Sequence, residues 1–417
     1  MLKTFESLKP FLHPTKVYTD NFLFKLHYRF TFIILLIATV LVTSRQYIGE
    51  HIKCISGSIP EHIINTFCFF TTTFTVVRHF NNTALDSGAI FQPGIGPYHF
   101  EEEPIKRHAY YQWVPFVLFG QALCFLVPHF CWKKWEGGRV KQLVLGFKMA
   151  GLSRYIHQKL KFGETEIPSM EDTEQRVQDI RREIKYRMRL NSQWGIHLMM
   201  AEWMNLFNIV LQIWWTDVFL SGQFYSLGFK VLSENWNNKM DILDVVFPKV
   251  TKCHFNKFGP SGSMQVHDTL CVMALNIINE KIYTILWFWF AFILMMSILA
   301  VTWRFVTLMM YKSEWFSEKA FRSTKAGRHV NKRDLDTVIY ECNFSNWMFL
   351  YFLASNLSDF LFNKIIKNLA AEFSEFHPNP AYDNQQNLRL VSEKPGISSI
   401  DTVDGAPLLK GEGSKTD

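Results

Sequence analysis

The sequence predicts an all-α membrane protein, a bundle of four transmembrane helices with cysteine-bridged extracellular loops that contain some β structure and a helical cytoplasmic domain. Three observations predict this fold class. Four windows of the 417-residue chain are nearly free of charged residues. Lys and Arg are concentrated in alternate segments between these windows, and the other two segments each hold a pair of cysteines. Such segregation is typical of a chain that crosses a bilayer several times.

The four windows are assigned as spans because a bilayer core of about 30 Å needs roughly 20 residues of helix. The interval between Arg29 and Arg45 is too short, so the first span extends back and its basic side chains reach the interface. The third window is interrupted by Glu202, and the second contains Pro115 and Pro128, which are expected to bend or break that helix. The predicted spans are 22–43, 109–132, 194–222 and 282–303.

The distribution of basic residues sets the orientation. Segment 133–193 holds 14 Lys or Arg, against 5 in 44–108 and 6 in 223–281, and seven more lie in 311–333. Cytoplasmic loops are enriched in Lys and Arg, so both termini and 133–193 are predicted to lie in the cytoplasm and the other two loops outside. Residues 1–21 have no apolar core before a cleavage site, which predicts that no signal peptide is removed.

The cysteine positions agree with this orientation, because disulfides persist on the oxidising side of a membrane. Cys54 and Cys68 lie in the first outer segment, and Cys253 and Cys271 lie in the second. We therefore expect these four cysteines to form disulfides. Four cysteines allow three pairings, and the residues alone leave open whether the bridges lie within or between the two segments.

The third span carries a polar face. At about 100° per residue its polar side chains fall on one half of the helix surface, and such a stripe must face protein or water. Interhelical hydrogen bonding and direct pore lining both explain the stripe, and both alternatives remain open. The candidate face consists of Glu202, Asn205, Asn208 and Gln212, with Asp217 near its end.

Composition predicts the structure of the cytoplasmic segments. Segment 133–193 is rich in charged helix formers and is expected to be largely helical. Residues 304–375 are expected to form helices that pack beneath the bundle. From residue 376 the chain turns to Pro, Asn, Gln, Ser, Gly and acidic residues, which predicts a disordered tail over 376–417.

The sequence contains no motif of a soluble catalytic site. Phosphate-binding loops, dinucleotide fingerprints, zinc-protease motifs and nucleophile elbows are all absent from it. The 14 histidines are scattered without paired metal-ligand spacing. We therefore predict that the protein is not an enzyme, and that it takes no cofactor, metal or nucleic acid.

One motif at the start of the second span is specific to a family. The run Tyr110, Tyr111, Gln112, Trp113, Val114 is the signature by which innexins are recognised, and the chain resembles an innexin from about residue 1 to 372. Further similar segments stand in the family order. They are DNFLFKLHYRFT at 20–31, VTSRQYIGEHIKC at 42–54, FQPGIGPY at 91–98, WKKWEGGR at 132–139 and FPKVTKCHFNKFGPSGSMQVHDTLCVMALNIINEKIY at 247–283.

The resemblance implies a subunit of an invertebrate gap-junction channel in the plasma membrane at cell–cell junctions. Like subunits, with or without other innexins, would form a ring of eight among the membrane lipids. The outer loops would dock against a ring on the neighbouring cell, so that ions and small metabolites pass between the cytoplasms. The family also implies disulfides between the outer loops, pairing Cys54 with Cys271 and Cys68 with Cys253.

The resemblance further implies that the N-terminal segment folds into the pore mouth. The pore-lining candidates are therefore Met1, Leu2, Lys3, Thr4 and Phe5.

Two other functions fit the same layout. One is a single-membrane release channel, like the related pannexins, and the other is a four-span adhesion protein that conducts nothing. Asn81 begins the sequon Asn81-Asn82-Thr83 in the first outer segment and is a candidate glycosylation acceptor. A glycan near the docking face would favour an undocked ring.

Overall fold

The computed structural model of the chain describes residues 17, 19–49, 52–55, 57, 59–80, 85, 87–88, 90, 92–97, 103–144, 193–233 and 242–376. The predictions for Met1 to Phe5, Asn81, residues 145–192 and the tail after 376 lie outside these residues. Within them, the helices are α1 (Phe22–Ile48), α2 (Glu61–Thr71), α3 (Val114–Glu136), α4 (Trp194–Phe219), α5 (Phe224–Ser233), α6 (Ile242–Val246), α7 (Ala274–Met310), α8 (Glu314–Arg322), α9 (Lys332–Glu341), α10 (Phe344–Asn356) and α11 (Asp359–Phe376).

The long helices α1, α3, α4 and α7 form a closed bundle. α1 packs on α3, α3 on α4, α4 on α7, and α7 back on α1. The buried side chains of the apolar part of α1 recur at helical spacing, at Phe32, Leu35, Ala38 and Val42. One stripe of this helix therefore faces its neighbours, as the 3.6-residue period requires.

Three helices in the described part of the chain, α1, α3 and α7, are long and apolar enough to cross a membrane by length and composition. α4 has 26 residues, which is about 39 Å at 1.5 Å per residue and also long enough. The polar face of α4 lowers its mean hydropathy, so α4 is not apolar enough to be counted with these three helices. A mostly helical chain with apolar spans is confirmed, and α4 as a fourth span stays a prediction.

α7 is longer than the window that predicted it. The charge-free window covers 282–303, whereas the helix covers 274–310. The window ends where charged residues begin, but those charges have partners within the fold. The carboxylate of Glu280 lies 3.2 Å from Lys249 Nζ, and Arg304 pairs with Glu202. Paired charges are tolerated inside a helix bundle, so the helix continues through them.

α3 begins and ends at residues that local chemistry explains. Tyr110–Gln112 form a short 3-10 turn, and Pro115 lies in the first turn of α3, where its missing N–H costs no hydrogen bond. The helix continues through Pro128, so neither proline breaks it, and the alternative expectation of a bend stays a prediction. It ends at Gly137, whose φ of 61° is the left-handed conformation that glycine favours at helix ends.

A five-stranded sheet, named the outer sheet after its predicted location, combines strands from both predicted outer segments. Its strands are β1 (Lys53–Ile55), β2 (Thr73–Val76), β3 (Ile105–His108), β4 (Val250–Phe258) and β5 (Met264–Val272). In the described part of the chain their order is β1-β5-β4-β2-β3, and all pairs are antiparallel. The hairpin of β4 and β5 thus lies between strands of the first segment, and the two segments form one unit.

Helix α10, which follows α7 in the chain, packs against α4 through aromatic side chains. Trp194, at the start of α4, is fully buried. Its ring lies 5.3 Å from that of Trp132 on α3 and 5.8 Å from that of Phe349 on α10. A Cβ at Gly195 would come within 2.8 Å of the Ser345 backbone, so α10 contacts the α4 backbone directly at this position.

Candidate functional site

Two disulfides fix the outer sheet. Cys54 on β1 is bonded to Cys271 on β5, and these two residues are also opposite each other in the β1–β5 register. Cys68 on α2 is bonded to Cys253 on β4. Both bridges are buried and join the first outer segment to the second, which is the pairing that the family resemblance implies.

The two disulfides are neighbours in the core of the sheet. The sulfur atoms of Cys54, Cys68 and Cys271 all lie within 4.8 Å of one another. These sulfurs are bonded in pairs and offer no thiolate to a metal ion. Their proximity instead means that a thiol released from one bridge stands within reach of the other.

The family motif connects α2, which is bonded to the outer sheet through Cys68, to the bundle. The hydroxyl of Tyr111 donates to the carbonyl of Phe69 at 3.3 Å, and Nε2 of Gln112 donates to the same oxygen at 2.5 Å. Phe69 directly follows Cys68, so the motif holds α2 and its disulfide. Val114 is buried at the first position of α3, while Trp113 is 60% exposed.

Tyr110 extends the same connection to two other parts of the chain. Its ring packs edge-on against Phe219 at the end of α4 and against Phe247 after α6. Tyr110 therefore ties the start of α3 to the second outer segment.

His108, at the end of β3, is a buried histidine of the outer sheet. Its Nε2 lies 2.8 Å from the hydroxyl of Thr75 on β2, and its side chain is almost inaccessible. Burial, together with the smaller effect of the Lys106 charge, lowers the pKa of the His108 imidazole from 6.5 to about 4. The neutral ring is therefore the form that the folded sheet holds.

Acidification is therefore expected to destabilise the outer sheet. The folded-state pKa lies below the unfolded value, so the stabilisation is present above pH 6.5 and is lost as the pH falls from 6.5 towards 4. The whole effect is about 3 kcal/mol at about 1.4 kcal/mol per pKa unit. Thermal unfolding of the purified protein between pH 7.5 and 4.5 measures it, with His108→Gln expected to have a smaller acid-induced shift.

The control for this prediction is His62→Gln, because His62 lies on α2 in the same unit and is exposed. His62→Gln should follow the wild-type pH profile. An acid-induced shift of equal size in His108→Gln and wild type would contradict the assignment to His108.

The polar face of α4 lies inside the bundle. Arg304 on α7 donates two hydrogen bonds to the Glu202 carboxylate, from Nε at 2.7 Å and from Nη2 at 2.5 Å. Asn21, directly before α1, donates to the same carboxylate at 2.6 Å. The Glu202 carboxylate of α4 thus bonds both to α7 and to the residue before α1, and only 7% of the Glu202 surface is exposed.

The rest of the face continues along α4. Asn205 lines a small cavity with His27 of α1 and Ser297 of α7. The amide of Gln212 donates to Asn208 Oδ1 at 3.3 Å, and both side chains are buried. That bond lies within α4. One turn further, the neighbouring side chains bond to other helices, with Gln121 Nε2 on α3 donating to Thr216 Oγ1 at 2.8 Å and Asp217 Oδ1 accepting from the Tyr225 N–H of α5. These contacts favour interhelical hydrogen bonding over pore lining.

Arg304 was not identified from the sequence as the partner of Glu202. A usable signal was present, because an isolated carboxylate at bilayer depth requires a partner and Arg304 directly follows the fourth charge-free window. Which of the flanking cations faces Glu202 depends on the packing of α4 against α7.

Comparison with known proteins agrees with the family motif. The family model for innexins matches residues 20–373. The chain is 54% identical to Innexin inx7 of Drosophila melanogaster over 98% of this chain and 94% of that protein. It is 37% identical to Innexin inx2 of the same species, over 90% of this chain and 96% of the relative.

The chain belongs to the innexin family. A third innexin, shaking-B of Drosophila melanogaster, is 29% identical over 89% of this chain and 94% of that relative. The matched residues 20–373 contain the bundle, both disulfides and the described helices after α7 except the end of α11. The innexin match therefore covers the sheet and the four-helix bundle together.

Proposed function

We propose that this innexin is a subunit of an intercellular gap-junction channel that passes ions and small metabolites between adjacent cells. The observation that carries the proposal is the innexin match over residues 20–373, because innexins are channel proteins of cell junctions. The described side chains form no arrangement that indicates catalysis. As a channel subunit, the protein would supply the pore width, the charge of the pore wall and the gating.

The proposed topology has four spans, with α4 as the third. The polar side chains of α4 are compatible with a membrane span, because they are buried against other helices and several form hydrogen bonds with them. The basic segments 133–193 and 304–375 and both termini would face the cytoplasm. The outer sheet, with its disulfides, would face the extracellular space.

The proposed assembly is a ring of eight like subunits, with or without other innexins, embedded in membrane lipid. α7 supports contacts of this kind because many of its large apolar side chains are unburied in the single chain. The exposed ones include Ile285, Met295, Ile298, Leu299, Trp303 and Met309. Exposed apolar side chains along one long helix favour contact with lipid or with a neighbouring subunit.

The proposed docking face is the outer sheet. The far end of the β4–β5 hairpin carries Phe258, Met264 and Val266, all more than half exposed. Cys271 and Cys253 tie the two strands of this hairpin to the first outer segment. A hairpin held at its base with apolar residues at its tip supports docking against a second ring.

Two further proposals concern residues outside the described part of the chain. Met1 to Phe5 would line the pore mouth, as in the family. Asn81 would accept a glycan, since the sequon stands in an outer segment.

Junctional conductance between paired cells that express only this chain tests the proposal. We expect junctional current together with hemichannel current in single cells. Hemichannel current without coupling would identify a release channel. If neither current appears although the protein reaches the cell surface, the chain does not form a channel by itself. Co-expression with another innexin then distinguishes two cases, because a heteromeric subunit would contribute to a current and an adhesion protein would not.

A further inference from the structure

Asp20 lies at the boundary between the N-terminal segment and α1, and its carboxylate is buried. Only 3% of its side chain is exposed. Oδ1 accepts hydrogen bonds from the indole Nε1 of Trp132 at 3.2 Å and from the Thr19 hydroxyl at 3.1 Å. Oδ2 accepts from the Tyr28 hydroxyl at 3.3 Å. The donors belong to α1, to α3 and to the segment before α1.

A cation of α3 compensates the buried charge. Lys133 Nζ lies 3.3 Å from Asp20 Oδ1 and also donates to the Thr19 hydroxyl at 2.8 Å. On the other side, the His129 ring stacks on Tyr28, with 3.7 Å between ring centroids. A buried carboxylate without such partners costs several kcal/mol. Asp20 therefore has one favourable position, against the cytoplasmic end of α3.

The next residue, Asn21, makes a second contact in a different direction. Its backbone occupies the N-cap position of α1, yet its side chain makes no capping hydrogen bond. The amide instead donates to Glu202 on α4 at 2.6 Å. A capping bond would stabilise α1 alone, whereas this contact joins the start of α1 to another helix.

Glu202 is itself held in place. Arg304 of α7 binds the carboxylate with two hydrogen bonds, and Arg304 Nη1 lies 3.0 Å from the sulfur of Met348 on α10. Asn21 therefore bonds to a group whose position is set by α7 and the helices after it.

We propose that Asp20 and Asn21 form a two-sided anchor that fixes the point at which the N-terminal segment leaves the bundle and thereby sets the direction from which it would enter the proposed pore mouth. Asp20 binds α3, and Asn21 binds the Glu202–Arg304 pair of α4 and α7. Two consecutive residues bound in different directions leave the chain little freedom to rotate about the start of α1. Both are positioning residues, and the proposal rests on the proposed channel function.

Distances between N-terminal labels in the assembled ring test the anchor. Lys9→Cys, in a chain with Cys124, Cys131 and Cys342 replaced by Ala, receives one spin label per subunit. Pulsed electron resonance then measures the distances between subunits. We expect a narrow distribution in the unaltered background and loss of the narrow component in Asp20→Asn and in Asn21→Ala.

Asn343→Ala is the matched control, because Asn343 is exposed in the segment proposed to face the cytoplasm. It should keep the narrow distribution. Asn21 is only half-buried, so Asn21→Ala is expected to assemble even where Asp20→Asn does not. A broad distribution in the unaltered background, or a narrow one in Asn21→Ala, would overturn the anchor.

Unitary conductance of coupled cell pairs supplies a functional readout. Asn21→Ala should change the unitary conductance while surface delivery stays the same, and Asn343→Ala should change neither. An unchanged conductance in Asn21→Ala would overturn the proposed role in the pore. If the channel proposal itself fails, wild-type cell pairs show no coupling. The label distances in the ring can still be measured in that case, so the two failures are distinguishable.

Discussion

Cell pairs expressing Cys271→Ser are expected to show no junctional current, although the variant still inserts into the membrane. Cys271 is bonded to Cys54 across a sequence separation of 217 residues. Its loss removes the covalent connection between β1 and β5, and the loss of a native disulfide typically costs about 2–5 kcal/mol. The apolar spans do not depend on this bridge, so insertion is expected to continue.

The position of Cys68 makes the expected damage larger than the loss of one bridge. In Cys271→Ser the thiol of Cys54 is free, and its sulfur stands within 4.8 Å of Cys68. The Cys54 thiolate can attack the Cys68 sulfur, so that a Cys54–Cys68 bond forms while the Cys68–Cys253 bond breaks and Cys253 leaves as a thiolate. The exchange needs no added oxidant, and it would detach β4 from α2.

Mass spectrometry of peptides from the purified variants measures this exchange. We expect Cys271→Ser to contain both Cys54–Cys68 and Cys68–Cys253. The double variant with Ser at 54 and 271 should contain only the Cys68–Cys253 bond. Cys124→Ser, which replaces a free cysteine of α3, should keep both native bridges and normal coupling.

Retained coupling in both Cys54→Ser and Cys271→Ser would refute an obligatory role for the disulfide. If Cys271→Ser uncouples cells but keeps a pure Cys68–Cys253 bond, the loss of the first bridge is sufficient and exchange is refuted.

The sequence predicted the helices better than their ends. Charge-free windows located α1, α3 and α7, because the bilayer excludes unpaired charge. The windows could not show that α7 continues through Glu280 and Arg304, since that depends on partners more than 30 residues away at Lys249 and 100 residues away at Glu202. The start of α3 beside Pro115 could have been predicted from the sequence, because proline favours the first turn of a helix.

The pairing of the cysteines was not readable from the residues alone. Four cysteines allowed three pairings, and the choice depends on the register that sets Cys54 opposite Cys271. That register arises only when β1 meets a strand of the second outer segment. The family resemblance implied the pairing, but the residues of one chain did not.

The polar face of α4 was partly predictable. Helical periodicity placed Glu202, Asn205 and Asn208 on one side, since 100° per residue is a property of the helix itself. It could not identify what the face meets. Asp20 was missed because it precedes the first span and, in sequence, resembles any acidic residue of a cytoplasmic terminus.

The Glu202–Arg304 pair leads to the second large prediction, for Arg304→Met. Both side chains are at least nine-tenths buried. Removing the cation leaves an unpaired carboxylate in the bundle, which typically costs about 3–5 kcal/mol. We expect a large fall in the thermal unfolding midpoint of the detergent-solubilised protein. Arg322→Met is the control, because its ion pair with Glu318 at 2.7 Å lies on the surface, where such a pair contributes only about 0.3–0.5 kcal/mol.

The double variant with Met at 202 and 304 distinguishes charge from packing. With both charges absent, no unpaired ion remains, and apolar side chains of similar volume are often tolerated at a buried ion pair. The Asn21 amide loses its acceptor, which costs about 1 kcal/mol, so recovery should be large but incomplete. If the double variant is no more stable than Arg304→Met, the cost arises from lost packing around Met348 instead of from the unpaired carboxylate. If Arg304→Met unfolds no earlier than Arg322→Met, the buried pair does not stabilise the bundle.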